Sequence, residues 1–329
     1  MKIGLVHKRL DLKGGTERDL YVTAQGLRDL GHEIHLFCSE LSVSAPTGVI
    51  VHRVPVLRLG RTARLWTFAL WAPKIAGRYH CDVIVGFGRI LRQDVLRSGG
   101  GSHRGFLDKF GSHGGARRRL WQRFSIYHQS ILAIERRQFH SNRYKQVIAV
   151  SEEVKKDLMR YYEIPENKIC VLYNGVDENR FHPSRRMEAR PLIRQRWGIP
   201  ADVALVLFVG SGFRRKGLDR LLSIWKSPRL KDTWLLVVGD DARMPWYKAW
   251  GESVAQRRIV FAGRQSDIEN YYAAADIVAL PAIQEAFGNV ILEALASGLP
   301  VLVSRAAGAA EVLSEPLCHG IVTKPEEPR

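Results

Sequence analysis

The sequence predicts an α/β protein built from two doubly wound parallel-sheet domains, and three observations predict it. Short β-branched-rich runs recur through the first half as KIGLV, EIHLFC, GVIVHRVPV, DVIVGFG, QVIAVS and ICVLYN, set off by Gly, Asp, Asn or Ser. The second half repeats the theme with ALVLFVG, WLLVVGD, RIVFAG, DIVALPA, PVLVS and GIVTK. Amphipathic segments lie between the runs, and such alternation is the pattern of a parallel sheet covered on both faces. With 329 residues, 46% of them hydrophobic, the chain is long enough for two cores.

Taken in order, the first strand KIGLV leads through KGGTERD into a helix over Thr16–Leu30 that stops at Gly31. Thr16 is the expected N-cap, with Asp19 in the first turn. A later helix opens S-E-E-V, with Ser151 as cap and acids in its first turn. The polar, Pro-containing segment FHPSRRMEARPLIRQRWGIPADV carries no strand pattern and places a boundary near residue 184, giving domains 1–183 and 184–329. Beyond it, KGLDRLLSIWK, IENYYAAA and NVILEALAS read as helices between strands. Open parallel sheets bind ligands at the carboxyl ends of their strands, so two facing domains predict a site in the cleft between them.

Composition narrows the setting. Cys38, Cys81, Cys170 and Cys318 are scattered without a C-x-x-C pair, which predicts buried free thiols in a reducing cytoplasm. The N-terminal apolar run is too short for a signal peptide, and no stretch approaches the length that spans a bilayer. The net charge is +17, and residues 51–150 hold 19 Lys/Arg against 4 Asp/Glu, a local excess of +15. Within it, RVPVLRLGRTARLWTFALWAPKIAGRYH and HGGARRRLWQRFSIYHQ mix arginines with Trp, Phe and Tyr. That mixture suits the surface of an anionic membrane, where aromatics sit at headgroup level. Nucleic acid is the less favoured partner for such charge.

The motif that carries most chemistry is PAIQEAFGNVILEALASGLPVLVS, with Glu285 and Glu293 eight positions apart around a predicted helix start at Gly288-Asn289. At full helical rise they would lie about 12 Å apart, less across a bent loop. Acid–base dyads of glycosidases span roughly 5–9.5 Å across one bond. The spacing therefore suits two grips on one longer ligand, with the helix N-terminus between them as a diphosphate site. The alternative for Glu293 is a solvated helix residue.

GSGFRRKGLDRLL follows the strand ALVLFV and sets Arg214, Arg215 and Lys216 near a helix start, a basic phosphate clamp that lacks the P-loop pattern. Gly14-Gly15 lets backbone approach a ligand closely. In RSGGGSHRGFL, His103 is a candidate contact to a sugar or phosphate, its alternative a surface-loop histidine. Asp240-Asp241 in GDDAR reads as a strand-end turn rather than a Mg²⁺ site, and no histidine has metal-ligand spacing.

Together these residues resemble the large retaining glycosyltransferase family numbered four, of the two-Rossmann-domain type called GT-B. The resemblance runs from end to end on the Gly-Gly loop, the His loop, GSGFRRKG, FAGR and the E-x7-E of Glu285 and Glu293. GGTERD, GSGFRRKGLDR and AAADIVALPAIQEAFG most resemble the lipopolysaccharide core subfamily that adds glucose to an inner-core heptose.

The resemblance implies an acceptor-binding first domain and a nucleotide-sugar-binding second domain. It implies Glu285 on the hydroxyls of the transferred sugar and Glu293 on the ribose. The diphosphate would be held by Arg215, Lys216 and the N–H groups of Phe287, Gly288, Asn289 and Val290, with Gly212 in the same loop. Gly14 and Gly15 would close over the phosphates, Arg264 would lie near the base, and Asp19 and His103 would face the donor. The implied donor is a UDP-sugar, with glucose transferred, no metal and no other cofactor. The acceptor would be a glycan or glycolipid on the inner face of the cytoplasmic membrane. A sugar-nucleotide epimerase and a non-catalytic sugar-nucleotide-binding protein share the architecture and stand as alternatives. The family ends with helices that cross back to the first domain, whereas this sequence stops at VTKPEEPR soon after its last strand.

Overall fold

A computed structural model of the chain describes residues 1–11, 14–112, 124–140, 143–314 and 320–322, the side chains of residues 110–112 excepted. The chain divides into two compact units, Met1–Asn174 and a second from Gly175 onward. The break comes nine residues before the expected 183/184 boundary. Residues 175–183 belong to the second unit because Arg180 donates to Glu269 at 2.9 Å and Phe181 packs edge-on against Tyr272.

The first unit is a seven-stranded parallel sheet ordered β5-β3-β1-β6-β7-β8-β9. Its strands are β1 Lys2–Val6, β3 Glu33–Cys38, β5 Ile50–Arg53, β6 Val83–Gly86, β7 Val95–Ser98, β8 Gln146–Ala149 and β9 Ile169–Val171. A two-residue ladder pairs β2 Arg9–Leu10 with β4 Glu40–Leu41 beyond the carboxyl ends of β1 and β3. Leu5, Leu20, Ile34 and Leu36 fill one face of the sheet, and Val6, Phe37, Phe68 and Ile90 the other. The helix Gly60–Gly77 packs on Glu-containing helix Ile126–Gln138 through Leu65, Ala69, Ile131 and Ile134.

The second unit is a six-stranded parallel sheet ordered β12-β11-β10-β13-β14-β15. Its strands are β10 Ala204–Val209, β11 Thr233–Val238, β12 Ile259–Gly263, β13 Ile277–Leu280, β14 Val301–Ser304 and β15 Ile321–Val322. Strand order reverses beside β1 in one sheet and beside β10 in the other, and a ligand crevice opens at the carboxyl end of such a switch point. The sequence pattern held for the central strands β11, β13 and β14 because they are largely buried on both faces and read as continuous apolar runs.

Local corrections follow from particular side chains. Thr16 does not cap the first helix. The helix runs Gly15–Asp29 from an N-cap at Gly14, and Glu17 folds its carboxylate back so far that a Cβ on Gly14 would stand 2.2 Å from it. Ser151 does cap its helix, accepting the Val154 N–H at 3.2 Å. Cys38 is buried as expected, whereas Cys170 is exposed because β9 lies at the sheet edge, and Cys318 falls outside the described residues. No helix among the described residues is long and apolar enough to cross a membrane. Most of the second basic stretch, residues 113–123, also lies outside the described residues, as do residues 323–329 of the terminal segment.

Candidate active site

The chemistry-bearing residues of the second unit gather at the carboxyl ends of β10 and β13, which pair directly. Gly210, Gly239 and Gly263 end or follow β10, β11 and β12 with φ of 142°, 135° and 69°. A Cβ on Gly239 would meet the Gly210 carbonyl at 1.8 Å, and one on Gly210 would meet Lys216 Cδ at 2.5 Å. The glycines thus let the strand ends converge and the Lys216 stem cross them.

Arg215 and Lys216 sit on a single helical turn, Phe213–Lys216, bracketed by the left-handed glycines Gly212 and Gly217. Phe213 roots the turn in the core, edge-on to Phe208 and Tyr247. Asp241 holds its start by accepting the Phe213 N–H at 2.9 Å. Both cations converge on one carboxylate oxygen: Arg215 Nη1 is 2.7 Å and Lys216 Nζ 3.1 Å from Glu285 Oε2. Burial pushes the Glu285 carboxyl up, but the adjacent Lys216 and Arg215 charges outweigh it and hold the group at about 2. One carboxylate is thus shared between two cations at the strand ends.

Backbone bonds lock the two motifs together. Ile283 N–H donates to the Arg215 carbonyl at 2.8 Å, and Arg220 donates to the Pro281 carbonyl at 3.0 Å. A loop that sequence reasoning passed over, Arg305–Ala309, fixes the other side. Glu285 N–H donates to Ala306, Gly308 N–H to Glu285, and Ala309 N–H to Phe287, at 3.1, 3.1 and 2.8 Å. Its small residues, AAGAA, let backbone reach backbone, which is the signal that marked it. The chain then turns at Gly288, φ 101°, into the helix Asn289–Ala296. The first-turn N–H groups of a helix have no intrahelical acceptor. Here that turn begins beside Glu285, since a Cβ on Gly288 would lie 3.3 Å from Glu285 Cγ.

Glu293 is not a solvated helix residue. It is 7% exposed and accepts the Tyr272 hydroxyl at 2.6 Å. Arg264 reaches Asp240 at 3.4 Å with both side chains more than half exposed, so this surface pair contributes little to stability.

Of the residues predicted in the first unit, Gly14 and Gly15 form the start of the first helix, next to Glu17, which His7 and Arg9 approach at 3.5 and 3.4 Å. Burial raises the Glu17 carboxyl, and the His7 contact with its own backbone N–H and Arg9 brings it down to about 2. Asp19 stands one turn beyond the helix start, where it pairs with Arg97 of β7 rather than with the helix N-terminus. Arg97 also donates to Asn174 at 2.7 Å. His103 is no surface-loop residue. It is 9% exposed, begins the helix His103–Ser112, donates its N–H to Glu135 at 3.0 Å and meets His128 Nδ1 through Nε2 at 2.9 Å. Burial, with Arg89 and His128 nearby, takes its imidazole down to about 3. Among the described residues no three His, Cys, Asp or Glu side chains come together as metal ligands.

The sequence pattern of Glycosyltransferase Family 4 matches residues 13–180, and that of Glycosyl transferases group 1 matches residues 189–329. The chain belongs to glycosyltransferase family 4. A lipopolysaccharide glucosyltransferase, WaaG of Escherichia coli K12, is 29% identical over 318 residues, 95% of this chain and 82% of that protein. The crystal structure of WaaG, a glycosyltransferase involved in lipopolysaccharide biosynthesis, superposes with a TM-score of 0.81 at 26% identity, over 94% of this chain and 82% of its own. Anabaena HepE, solved with UDP-glucose, shares the fold at a TM-score of 0.67 and 20% identity, over 96% and 83% of the two chains. As a member of this family the chain is a glycosyltransferase with two GT-B-type parallel-sheet domains, as the sequence predicted.

Proposed function

We propose that this glycosyltransferase moves glucose from UDP-glucose, with retention, to a membrane-associated glycan or glycolipid of the lipopolysaccharide core. The observation that carries the reading is the convergence of Arg215 and Lys216 on Glu285 beside the start of the helix Asn289–Ala296. A diphosphate leaving group develops negative charge as the sugar C1–O bond breaks, and preorganised cations and N–H groups stabilise it there. Glu285, kept ionised, accepts from hydroxyls of the transferred sugar. Glu293 and Arg264 complete the donor contacts within the second unit. The acceptor hydroxyl bonds to C1 and its proton passes to the departing phosphate oxygen, so the step asks for no metal and no cofactor. The homologous WaaG supports the lipopolysaccharide acceptor, and HepE with UDP-glucose supports the donor.

The first unit supports a peripheral contact with the anionic inner face of the cytoplasmic membrane. Leu59 and Ile126, 81% and 76% exposed, flank the starts of two helices that Arg61 joins by stacking on Tyr127 at 4.5 Å. Exposed apolar side chains among arginines fit a headgroup layer, each basic residue adding about 1 kcal/mol.

The test pairs a thermal-shift screen of UDP-, GDP- and ADP-sugars with a transfer assay on a truncated lipopolysaccharide acceptor. Stabilisation by UDP-glucose together with glucosylated product is the expected result. Isomerised donor without acceptor would establish an epimerase, and binding without turnover a non-catalytic protein.

A further inference from the structure

Tyr272 joins the segment that opens the second unit to the carboxylate of Glu293. It lies on the helix Ile268–Ala274, which follows β12, and is fully buried. Its hydroxyl donates to Glu293 Oε2 at 2.6 Å, across 21 residues of sequence, on the second turn of the helix Asn289–Ala296. That helix opens beside Glu285, where Arg215 and Lys216 converge. The Tyr272 ring is braced by Phe181, edge-on, with ring centroids 5.5 Å apart and an interplanar angle of 87°. Phe181 is itself buried. Its neighbour Arg180 pins this segment to the helix that carries Tyr272. The Arg180 Nε donates to Glu269, one turn before Tyr272, at 2.9 Å, and Nη2 donates to the Ser266 carbonyl at 3.2 Å.

Stability alone does not account for the Tyr272–Glu293 pair. Glu293 is flanked along its helix by buried Val290, Ile291 and Ala294, and a carboxyl in such surroundings costs desolvation that an apolar side chain would not. Apolar groups of the same shape in place of both partners of such a bond are often neutral or stabilising. What the bond supplies is orientation. A glutamate side chain is rotamer-rich, and a ligand that must first order it loses affinity. A carboxylate held from behind by a braced phenol meets its ligand already oriented.

We propose that Tyr272 is a positioning residue for donor recognition: its hydroxyl, with the ring braced by Phe181, sets the Glu293 carboxylate to accept from the ribose hydroxyls of the nucleotide sugar. The proposal rests on the reading of Glu293 as the ribose contact.

UDP and 2′,3′-dideoxy-UDP are the probes, run beside ADP and 2′,3′-dideoxy-ADP because the ribose is common to both, with affinities measured by calorimetry on the full chain. On the nucleotide that binds, the ribose form should hold about tenfold more tightly than the dideoxy form. Tyr272→Phe removes the hydroxyl and keeps the ring. It should weaken the ribose form about fivefold and leave the dideoxy form within about twofold. Phe181→Leu keeps the hydroxyl but loosens the ring. It should weaken the ribose form about threefold with the same selectivity, and it carries the test alone if Tyr272→Phe does not fold. In Glu293→Leu the preference for ribose should vanish, and adding Tyr272→Phe to it should change neither affinity. In transfer assays Tyr272→Phe should raise the donor KM about fivefold, with kcat and the acceptor KM within about twofold.

A bond that serves folding alone would lower the urea midpoint of Tyr272→Phe and weaken both forms equally, which overturns the positioning role. So does a wild-type ribose preference in Tyr272→Phe when Glu293→Leu has lost it, and the ribose reading of Glu293 then stands without Tyr272. Equal binding of the ribose and dideoxy forms by the unaltered protein, or an undiminished preference in Glu293→Leu, removes the ribose reading and the proposal with it. Selectivity found on ADP rather than UDP, with the variants behaving as stated, fails the UDP donor and leaves the positioning role in place.

Discussion

The Asp241 carboxylate accepts the Phe213 backbone N–H at 2.9 Å, tying the end of β11 to the turn that carries both site cations. Its other oxygen accepts Arg243 N–H at 2.9 Å, so Asp241 is a strand-end turn residue and a positioning residue at once. Asp241→Ala removes the acceptor and should cost about 1–2 kcal/mol. With Arg215 and Lys216 less well placed, the donor KM should rise about tenfold. Asp241→Asn keeps an oxygen for the same bond and should recover most of that loss. Equal impairment in both variants would show that the charge, not the hydrogen bond, matters.

Glu285 supplies a pH prediction. Its carboxyl titrates at about 2 in the folded protein against an ordinary 4.5. A lowered folded pKa stabilises above the ordinary value and loses that contribution as pH falls through the folded one. The contribution is about 3 kcal/mol above pH 5, vanishing between about pH 4.5 and 2. Glu285→Gln should therefore flatten the acid side of the stability curve measured by urea unfolding. At pH 7 it should also cut transfer at least a hundredfold, as should Lys216→Ala, with circular dichroism unchanged.

Much of this architecture was legible because buried parallel strands read as apolar runs and because E-x7-E flanks a left-handed glycine. The strand β7 was not legible, since its VLRS carries an arginine in mid-strand. Arg97 is 7% exposed and, among the described residues, is accommodated through Asp19 and Asn174, 78 and 77 residues away in sequence. The Glu293–Tyr272 bond and the backing of Glu285 by Ala306–Ala309 were hidden for the same reason: each depends on a partner that only the sheet order brings near. Arg97→Met should lower stability by about 3–5 kcal/mol, because it strands Asp19 without its cation. Asp19→Asn introduced with it should restore part of the loss, which a double-mutant cycle by chemical unfolding measures.

His103 is predicted to stay neutral throughout the working pH range. Burial brings its imidazole down to about 3 from 6.5. The unfolded chain then binds the extra proton first as pH falls, so stability declines from about pH 6.5 toward 3 and is unaffected above. An NMR titration should show the His103 ring neutral at pH 5.5. A ring that titrates near pH 6.5 would mean that the His128 contact and the burial do not persist in solution.

Gly217 and Gly31 separate backbone strain from steric collision. Both adopt left-handed backbone, with φ of 86° and 84°. A Cβ on Gly31 meets nothing within 4 Å, whereas one on Gly217 would lie 1.9 Å from the Pro281 carbonyl oxygen. Gly31→Ala should therefore cost only the conformational penalty, about 1–2 kcal/mol. Gly217→Ala carries the same penalty and must also push the Pro281–Glu285 segment off the cation turn. Its cost should exceed about 4 kcal/mol, or the protein should fail to accumulate. Any folded Gly217→Ala protein should have lost the Arg215–Glu285 pairing and most of its transfer activity, while Gly31→Ala keeps full activity. Equal stability of the two variants in urea unfolding would mean that the turn and the E-x7-E segment are not in contact as described.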